Sequence, residues 1–307
     1  MIIPRKLEKG DTIGVVAPSK PIVGSNVGEM ENAKKIVEKD GYKVAFSKNI
    51  FSNATGYCAT PEERAEDINS MFANDNIKMI WCAKGGEGAN DTFDYLDFEL
   101  IKKHPKIVCG FSDITSITNI ITQKTGLVTF SATNFKTIAT DETDYSYKQA
   151  IARFSGENTT LDIAKGDSYK TIKEGTAEGE LIGGNLTLTK GLTAGKYNID
   201  FTDKILFLED LGYESGPALL CSHLYFMKQN GVFDKIKGLW LGNYEHISGI
   251  SLEKIVVDVI GNEYDFPIIK SNNFGHNETK IAIPIGIKAK IDTSKEIKIE
   301  LLEKCVK

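Results

Sequence analysis

Over roughly the first 140 residues, short apolar runs alternate with segments of helical period, and this alternation restricts the fold more than any other feature of the chain. Asp11–Ser19 (DTIGVVAPS), Tyr42–Phe46, Ile77–Ala83 (IKMIWCA) and Ile107–Cys109 read as buried strands. Glu29–Asp40 reads as an amphipathic helix closed by Gly41, after a loop at Gly24–Gly28. A second helix opens at Pro61-Glu62-Glu63, with proline and acids in its first turn, and a third covers Asp94–Lys103. Neighbouring parallel strands need a crossover between them, so the pattern predicts a parallel sheet covered by helices on both faces. Ligands bind such sheets at the carboxyl ends of the strands. Ser19, the Gly85-Gly86 loop and Ser112 all follow strands and should share that rim.

Pro105–Thr125 carries the chemistry most directly. The Ile107-Val108-Cys109 run stops at Gly110-Phe111, and Ile114, Ile117 and Ile121 then repeat with helical period. Ser112 therefore sits where a strand breaks into a helix, beside unpaired backbone N–H groups and the positive end of a helix dipole. A serine on such a turn has the geometry of a nucleophile elbow, although Ile114 stands where G-x-S-x-G has its second glycine. A serine before a periodic run is equally a helix N-cap.

Beyond residue 140 the pattern changes. Residues 141–175 are polar with turn signals (DETDYSY, SGENTT, AKGDSY) and read as a linker or excursion; 176–307 form a second domain. There, Glu178–Ile182, Lys204–Leu208, Gly238–Gly242 and Pro267–Lys270 read as strands, with a tight turn at Gly183-Gly184-Asn185. Leu186–Leu192, Leu219–Asn230 and Leu252–Asn262 read as helices, and the last stretch, IAIPIGIKAKIDTSKEIKIELLE, alternates like antiparallel strands. The expected class is α/β: an N-terminal parallel, Rossmann-like domain at 1–140 and a smaller C-terminal α/β domain with antiparallel terminal strands. A net charge of −5 argues against nucleic acid or an anionic membrane as partner. No stretch has the apolar length of a membrane span, and the charged N-terminus predicts no signal peptide. Five cysteines without C-x-x-C pairing suggest reduced core thiols and a cytoplasmic protein. The four histidines make no metal-ligand spacing, so neither metal nor cofactor is expected.

Acyl transfer by serine needs a base within reach and an anion to orient it. His104 lies at a charged helix end and His223 inside an amphipathic helix; His246 and His276 occupy loops after strands and are the stronger candidates. For the acid, Glu209 and Asp210 end the run ILFL, and alternation alone does not select between them. Lys84-Gly85-Gly86-Glu87-Gly88 fits neither phosphate-binding glycine motif; it is a tight turn, or a donor of backbone N–H to an oxyanion.

In their order, GDTIGVVAPS, KGGEGAN, PKIVCGFSDIT, ELIGGNLTL, ILFLED, NGVFDKIKGLWLG and FGH followed by IPIG resemble the LD-carboxypeptidase family of serine peptidases, which includes the microcin C self-immunity hydrolases. The resemblance spans nearly the whole chain. It implies Ser112 as nucleophile, Glu209 as acid and His276 as base, with an active site between the two domains. It also implies an oxyanion hole from the N–H groups of Asp113 and of the Gly85-Gly86 loop, Gly86 in preference. The implied substrate is an L,D-peptide bond of murein tetrapeptide type, or the aminoacyl bond of an aminoacyl-nucleotide in the immunity branch, and the implied assembly is a homodimer. Two segments depart from the murein-recycling pattern: DLGYESGPALL follows Glu209 where that pattern has an arginine, and the loop reads Lys84-Gly85-Gly86-Glu87-Gly88 in place of R-G-G-Y-G. Lys84 and Glu87 are accordingly candidate substrate contacts. A non-catalytic peptide- or nucleotide-binding protein on the same framework is the alternative from another class.

Overall fold

A computed structural model describes residues 1–307 except Tyr57 and Lys165. The chain divides into two compact units, Met1–Thr159 with Ala282–Pro284 and Lys304–Lys307, and Thr160–Ile281 with Ile285–Glu303.

In the first unit, β1 (Thr12–Val16), α1 (Ser25–Lys39), β2 (Lys43–Phe46), α2 (Pro61–Ala73), β3 (Ile77–Cys82), α3 (Phe98–Lys103), β4 (Ile107–Gly110), α4 (Ile114–Thr125), β5 (Thr129–Ser131) and α5 (Tyr145–Phe154) follow one another. The sheet order is β11-β5-β4-β3-β1-β2, where β11 is Ile283–Ile285, and β1 to β5 pair in parallel. The buried faces of β1, β3 and β4 make a continuous apolar layer. Trp81 lies at its centre, ringed by Phe135, Tyr147 and Phe154, and donates its indole N–H to Thr133 O at 2.7 Å. Each such aromatic pair adds about 0.5–1.5 kcal/mol beyond area burial. A capping box starts α2: Glu63 N–H donates to Thr60 Oγ1 (3.2 Å) and Thr60 N–H to Glu63 Oε2 (2.9 Å).

Three expectations change here. Helix α1 begins at Ser25, not Glu29, because its buried stripe of Met30, Ala33 and Val37 stabilises a turn that includes Gly28. The helix expected at Asp94–Lys103 splits into a 3₁₀ segment, Ala89–Tyr95, and α3, because the Asp97 carboxylate accepts from Leu100 N–H at 2.9 Å and starts a new helix. Residues 141–175, expected as a linker or an excursion, carry α5, which buries Tyr147, Ala150 and Phe154 in the first unit, and a strand, β6 (Lys170–Lys173), of the second sheet.

The second unit continues with β7 (Thr176–Asn185), α6 (Leu186–Gly191), β8 (Lys204–Glu209), α7 (Pro217–Gln229), α8 (Val232–Lys235), β9 (Gly238–Leu241), α9 (Leu252–Ile260), β10 (Ile268–Lys270), β12 (Lys288–Asp292) and β13 (Ile299–Leu301). Its sheet order is β13-β12-β7-β8-β9-β10-β6; β7 to β10 are parallel, and β12, β13 and β6 pair antiparallel. Gly183 and Gly184 are not a turn. Both stay within β7 at φ 125° and 136°, and a Cβ on Gly183 would stand 2.1 Å from Phe207 O. Glycine there permits a close backbone approach between β7 and β8 that no side chain allows.

Candidate active site

Ser112 lies two residues after the end of β4 and has φ +65°, the left-handed region that L-residues other than Asn and Asp seldom enter. The elbow is held from both sides. Phe111 N–H donates to Asn134 Oδ1 at 3.0 Å, and Thr115 N–H donates to Ser112 O at 2.9 Å. The missing second glycine of the elbow is replaced across space. A Cβ on Gly85 would lie 2.8 Å from Ser112 Cβ and 3.1 Å from its Oγ, so the glycine loop after β3 gives the serine its room. Ile114, in turn, packs its Cγ2 onto Gly110.

Asp113 fastens three loops. Its Oδ2 accepts from Ser19 Oγ (2.5 Å) and from Ala89 N–H (2.9 Å), and Ser19 Oγ lies 3.3 Å from Glu87 O. Burial pushes the Asp113 carboxyl above its usual range despite these two donors, and its Oδ1 is buried without a partner. Among the described residues, neither Asp113 N–H nor Gly86 N–H has an acceptor. Arg64, from the first turn of α2 and almost fully buried, adds a second clamp. It donates to Ala59 O (3.1 Å), Pro18 O (2.8 Å) and Gly88 O (2.7 Å), and pairs with Asp91 at 3.2 Å. Nothing in PEERAED marks Arg64 as internal; its burial follows from where three loops converge.

Lys84 is half-buried on the same loop, and burial followed by the charges of Lys136 and Lys20 holds its pKa below the usual lysine value. Glu87 is exposed and pairs with Lys20 at 2.8 Å. Gly86 has φ +136° and lies against the Lys20 side chain.

In the second unit, β8 ends at Glu209, which is buried, with its Oε2 2.7 Å from His276 Nδ1. Gly275, at φ +112°, makes the contact possible, since a Cβ there would meet Glu209 Oε2 at 3.0 Å and Asn243 Cβ at 3.2 Å. Asn243 Nδ2 donates to His276 O (3.3 Å) and Asn185 Nδ2 to Glu209 Oε1 (3.4 Å). Asp210 points elsewhere: it accepts from Thr187 N–H and Oγ1 and from Leu211 N–H. Burial depresses the His276 pKa, but the charge and hydrogen bond of Glu209 outweigh it, and the net shift is upward. Glu209 faces Nδ1, which puts Nε2 on the ring edge away from that carboxylate.

The remaining histidines have other surroundings. His104 lies 3.5 Å from Asp75, His223 3.4 Å from Thr187 Oγ1, and His246 stacks on Tyr244 with Nδ1 2.8 Å from Ser248 Oγ. Among the described residues no helix is long and apolar enough to cross a membrane.

Residues 13–132 match the profile of the LD-carboxypeptidase N-terminal domain, and residues 178–291 that of the LD-carboxypeptidase C-terminal domain. A probable murein peptide carboxypeptidase of Bacillus subtilis (strain 168) is 34% identical over 306 residues, which cover 95% of this chain and 92% of that protein. The microcin self-immunity protein MccF of Escherichia coli is 26% identical over 317 residues, covering 93% of this chain and 92% of MccF. A solved structure of MccF in complex with glutamyl sulfamoyl guanosine superposes with a TM-score of 0.92 at 23% identity, over 100% of both chains, a likeness of fold.

Proposed function

This chain belongs to the LD-carboxypeptidase family and is a serine-peptidase-like hydrolase, and on that premise we propose that Ser112, Glu209 and His276 form its catalytic triad and that it cleaves an L,D-peptide bond of murein tetrapeptide type. The left-handed backbone at Ser112 carries this proposal, because packing alone does not require strain at a strand end, and a strained residue held by its surroundings is typical of nucleophile elbows. His276 Nε2 removes the serine hydroxyl proton as Oγ bonds to the substrate carbonyl carbon. Glu209 keeps the other ring proton on Nδ1 and stabilises the imidazolium. The N–H groups of Asp113 and Gly86, or Gly85, receive the oxyanion. The imidazolium then protonates the leaving nitrogen as the C–N bond breaks, and water, deprotonated at Nε2, releases the acyl group from Ser112. Lys84 and Glu87 are substrate contacts beside the nucleophile.

A second substrate is favoured by two observations: DLGYESG after Glu209 lacks the arginine of the murein-recycling pattern, and MccF is among the relatives. The aminoacyl bond of an aminoacyl-nucleotide, opened by the same steps, is that alternative. Work on murein fragments in cell-wall recycling, a cytoplasmic location and a homodimeric assembly complete the proposal. Free thiols at all five cysteines support the location, and family resemblance supports the assembly. Incubation with murein tetrapeptide and with an aminoacyl sulfamoyl adenosine, products read by mass, separates the two substrates. Hydrolysis that survives in Ser112→Ala refutes the triad, and binding without turnover of either compound points to a non-catalytic protein.

A further inference from the structure

Strand β10 ends on a buried lysine. Lys270 is 7% exposed, and among the described residues its ammonium pairs with no carboxylate. It donates to Gly242 O and, at 2.8 Å, to Asn272 Oδ1. Burial holds its pKa below the usual lysine value, at about 8. Desolvating an ammonium without a carboxylate is unfavourable, and an apolar chain of similar length would fill this place at lower cost. Stability alone therefore does not account for Lys270.

Both of its acceptors lead to His276. Gly242 follows β9, and the next residue, Asn243, holds the loop that carries the histidine. Asn243 N–H donates to Phe274 O at 2.9 Å and Asn243 Nδ2 to His276 O at 3.3 Å, while Asn243 O accepts from Asp210 N–H, the residue after Glu209, at 3.4 Å. The Phe274 ring lies on Gly242, where a Cβ would stand 2.4 Å from Cε2. Asn272 begins the same loop. Its N–H donates to Asp167 Oδ2 at 2.9 Å, and its carbonyl accepts from Asn277 Nδ2. We propose that Lys270 is a positioning residue, which clamps the chain leaving β9 to the start of the 272–276 loop and so holds the His276 ring against Glu209. One ammonium shared by two acceptors fixes their separation, and the 2.7 Å contact of His276 with Glu209 leaves little room for the loop to shift. This rests on His276 being the base, a role that requires one fixed ring orientation.

The test is a titration of the four histidine rings of the full chain by nitrogen-15 NMR, with His276 assigned by comparison with a His276→Gln protein. In the wild type Glu209 raises the His276 midpoint above that of an ordinary histidine. Lys270→Met should lower it by about half a pH unit or more, toward the ordinary value of about 6.5, because a freed loop weakens the pairing with Glu209. Loss of the lysine charge by itself would raise the midpoint, so the two causes differ in sign. Asp210 and Lys280, whose charges also act on His276, are the same in both proteins. Asn272→Ala, at an exposed position, opens the same clamp without changing any charge and should lower the midpoint too. An unchanged or raised midpoint in Lys270→Met overturns the positioning role; where that protein does not fold, the same readings of Asn272→Ala decide. Hydrolysis that persists in His276→Gln, read separately by mass, would instead overturn the assignment of the base.

Discussion

Gly85→Ala isolates the support that the glycine loop gives the serine. The added methyl would stand 2.8 Å from Ser112 Cβ, 3.1 Å from Oγ and 3.4 Å from Phe111 O. Nonbonded carbons rest at about 3.5–4.0 Å, so the overlap with Ser112 Cβ is about 0.7–1.2 Å. Ser112 has little freedom to retreat, because Asn134 holds Phe111 N–H and the first turn of α4 holds Ser112 O. The φ of Gly85 lies outside the left-handed region, so the substitution acts through contact and not through backbone strain. Displacing a reacting atom by about 1 Å costs roughly 10²-fold in rate, or about 2.7 kcal/mol of barrier. Overpacking should also lower stability by about 1–3 kcal/mol. The assay is kcat/KM on the tetrapeptide beside the thermal midpoint, with Gly28→Ala as control. Nothing lies within 4 Å of a Cβ at Gly28, inside α1, so that variant should keep full activity and gain about 0.5–1 kcal/mol of stability. A Gly85→Ala protein with wild-type kcat/KM and an unchanged midpoint would refute the steric account.

Glu209→Gln should remove the charge that raises His276, moving the acid limb of the kcat/KM profile to lower pH while the maximum falls by roughly 10²–10⁴-fold. The stability consequence has a definite sign. His276 titrates above its unfolded value, so the Glu209 pair stabilises fully below the unfolded histidine pKa of about 6.5 and loses that contribution as pH rises through the folded value. Chemical denaturation across pH 5–9 should show this loss in the wild type and not in the variant. Arg64→Met should cost about 3–5 kcal/mol, because three carbonyls and Asp91 lose a buried partner; hydrogen exchange should show faster amides over residues 85–89. Gly183→Ala should be tolerated worse than Gly28→Ala by several kcal/mol, given a Cβ 2.1 Å from Phe207 O, and a denaturant midpoint comparison reads the difference.

Charge placement separates the two halves of the candidate machinery. Glu209 and His276 form a short pair in which each group satisfies the other, and Asp210 is turned away onto Thr187. Around Ser112 the carboxylate of Asp113 faces Ser19 and Ala89 and serves as an anchor. The two N–H groups proposed for the oxyanion thus sit on a loop and an elbow that the same side chain ties together, an arrangement that would spare them reorganisation during reaction.

The one-dimensional chain determined much of this protein. Alternating apolar runs specified the parallel sheet, and the break at Gly110-Phe111 located Ser112 at a strand end. The ILFL run likewise located a carboxylate pair at the end of β8, since period and punctuation are local properties. Other features were decided only in three dimensions. Alternation left Glu209 and Asp210 equivalent, and it was the approach of Gly275 and His276 that selected Glu209. Gly183-Gly184 resembles a turn in sequence and is a strand, because the demand for glycine comes from Phe207 O on β8. Residues 141–175 have the composition of a linker, yet α5 buries Phe154 beside Trp81. Arg64, Asn134, Lys20 and Lys136 carry no pattern of their own. Their roles arise from distances between segments far apart along the chain, and only tertiary packing fixes those distances.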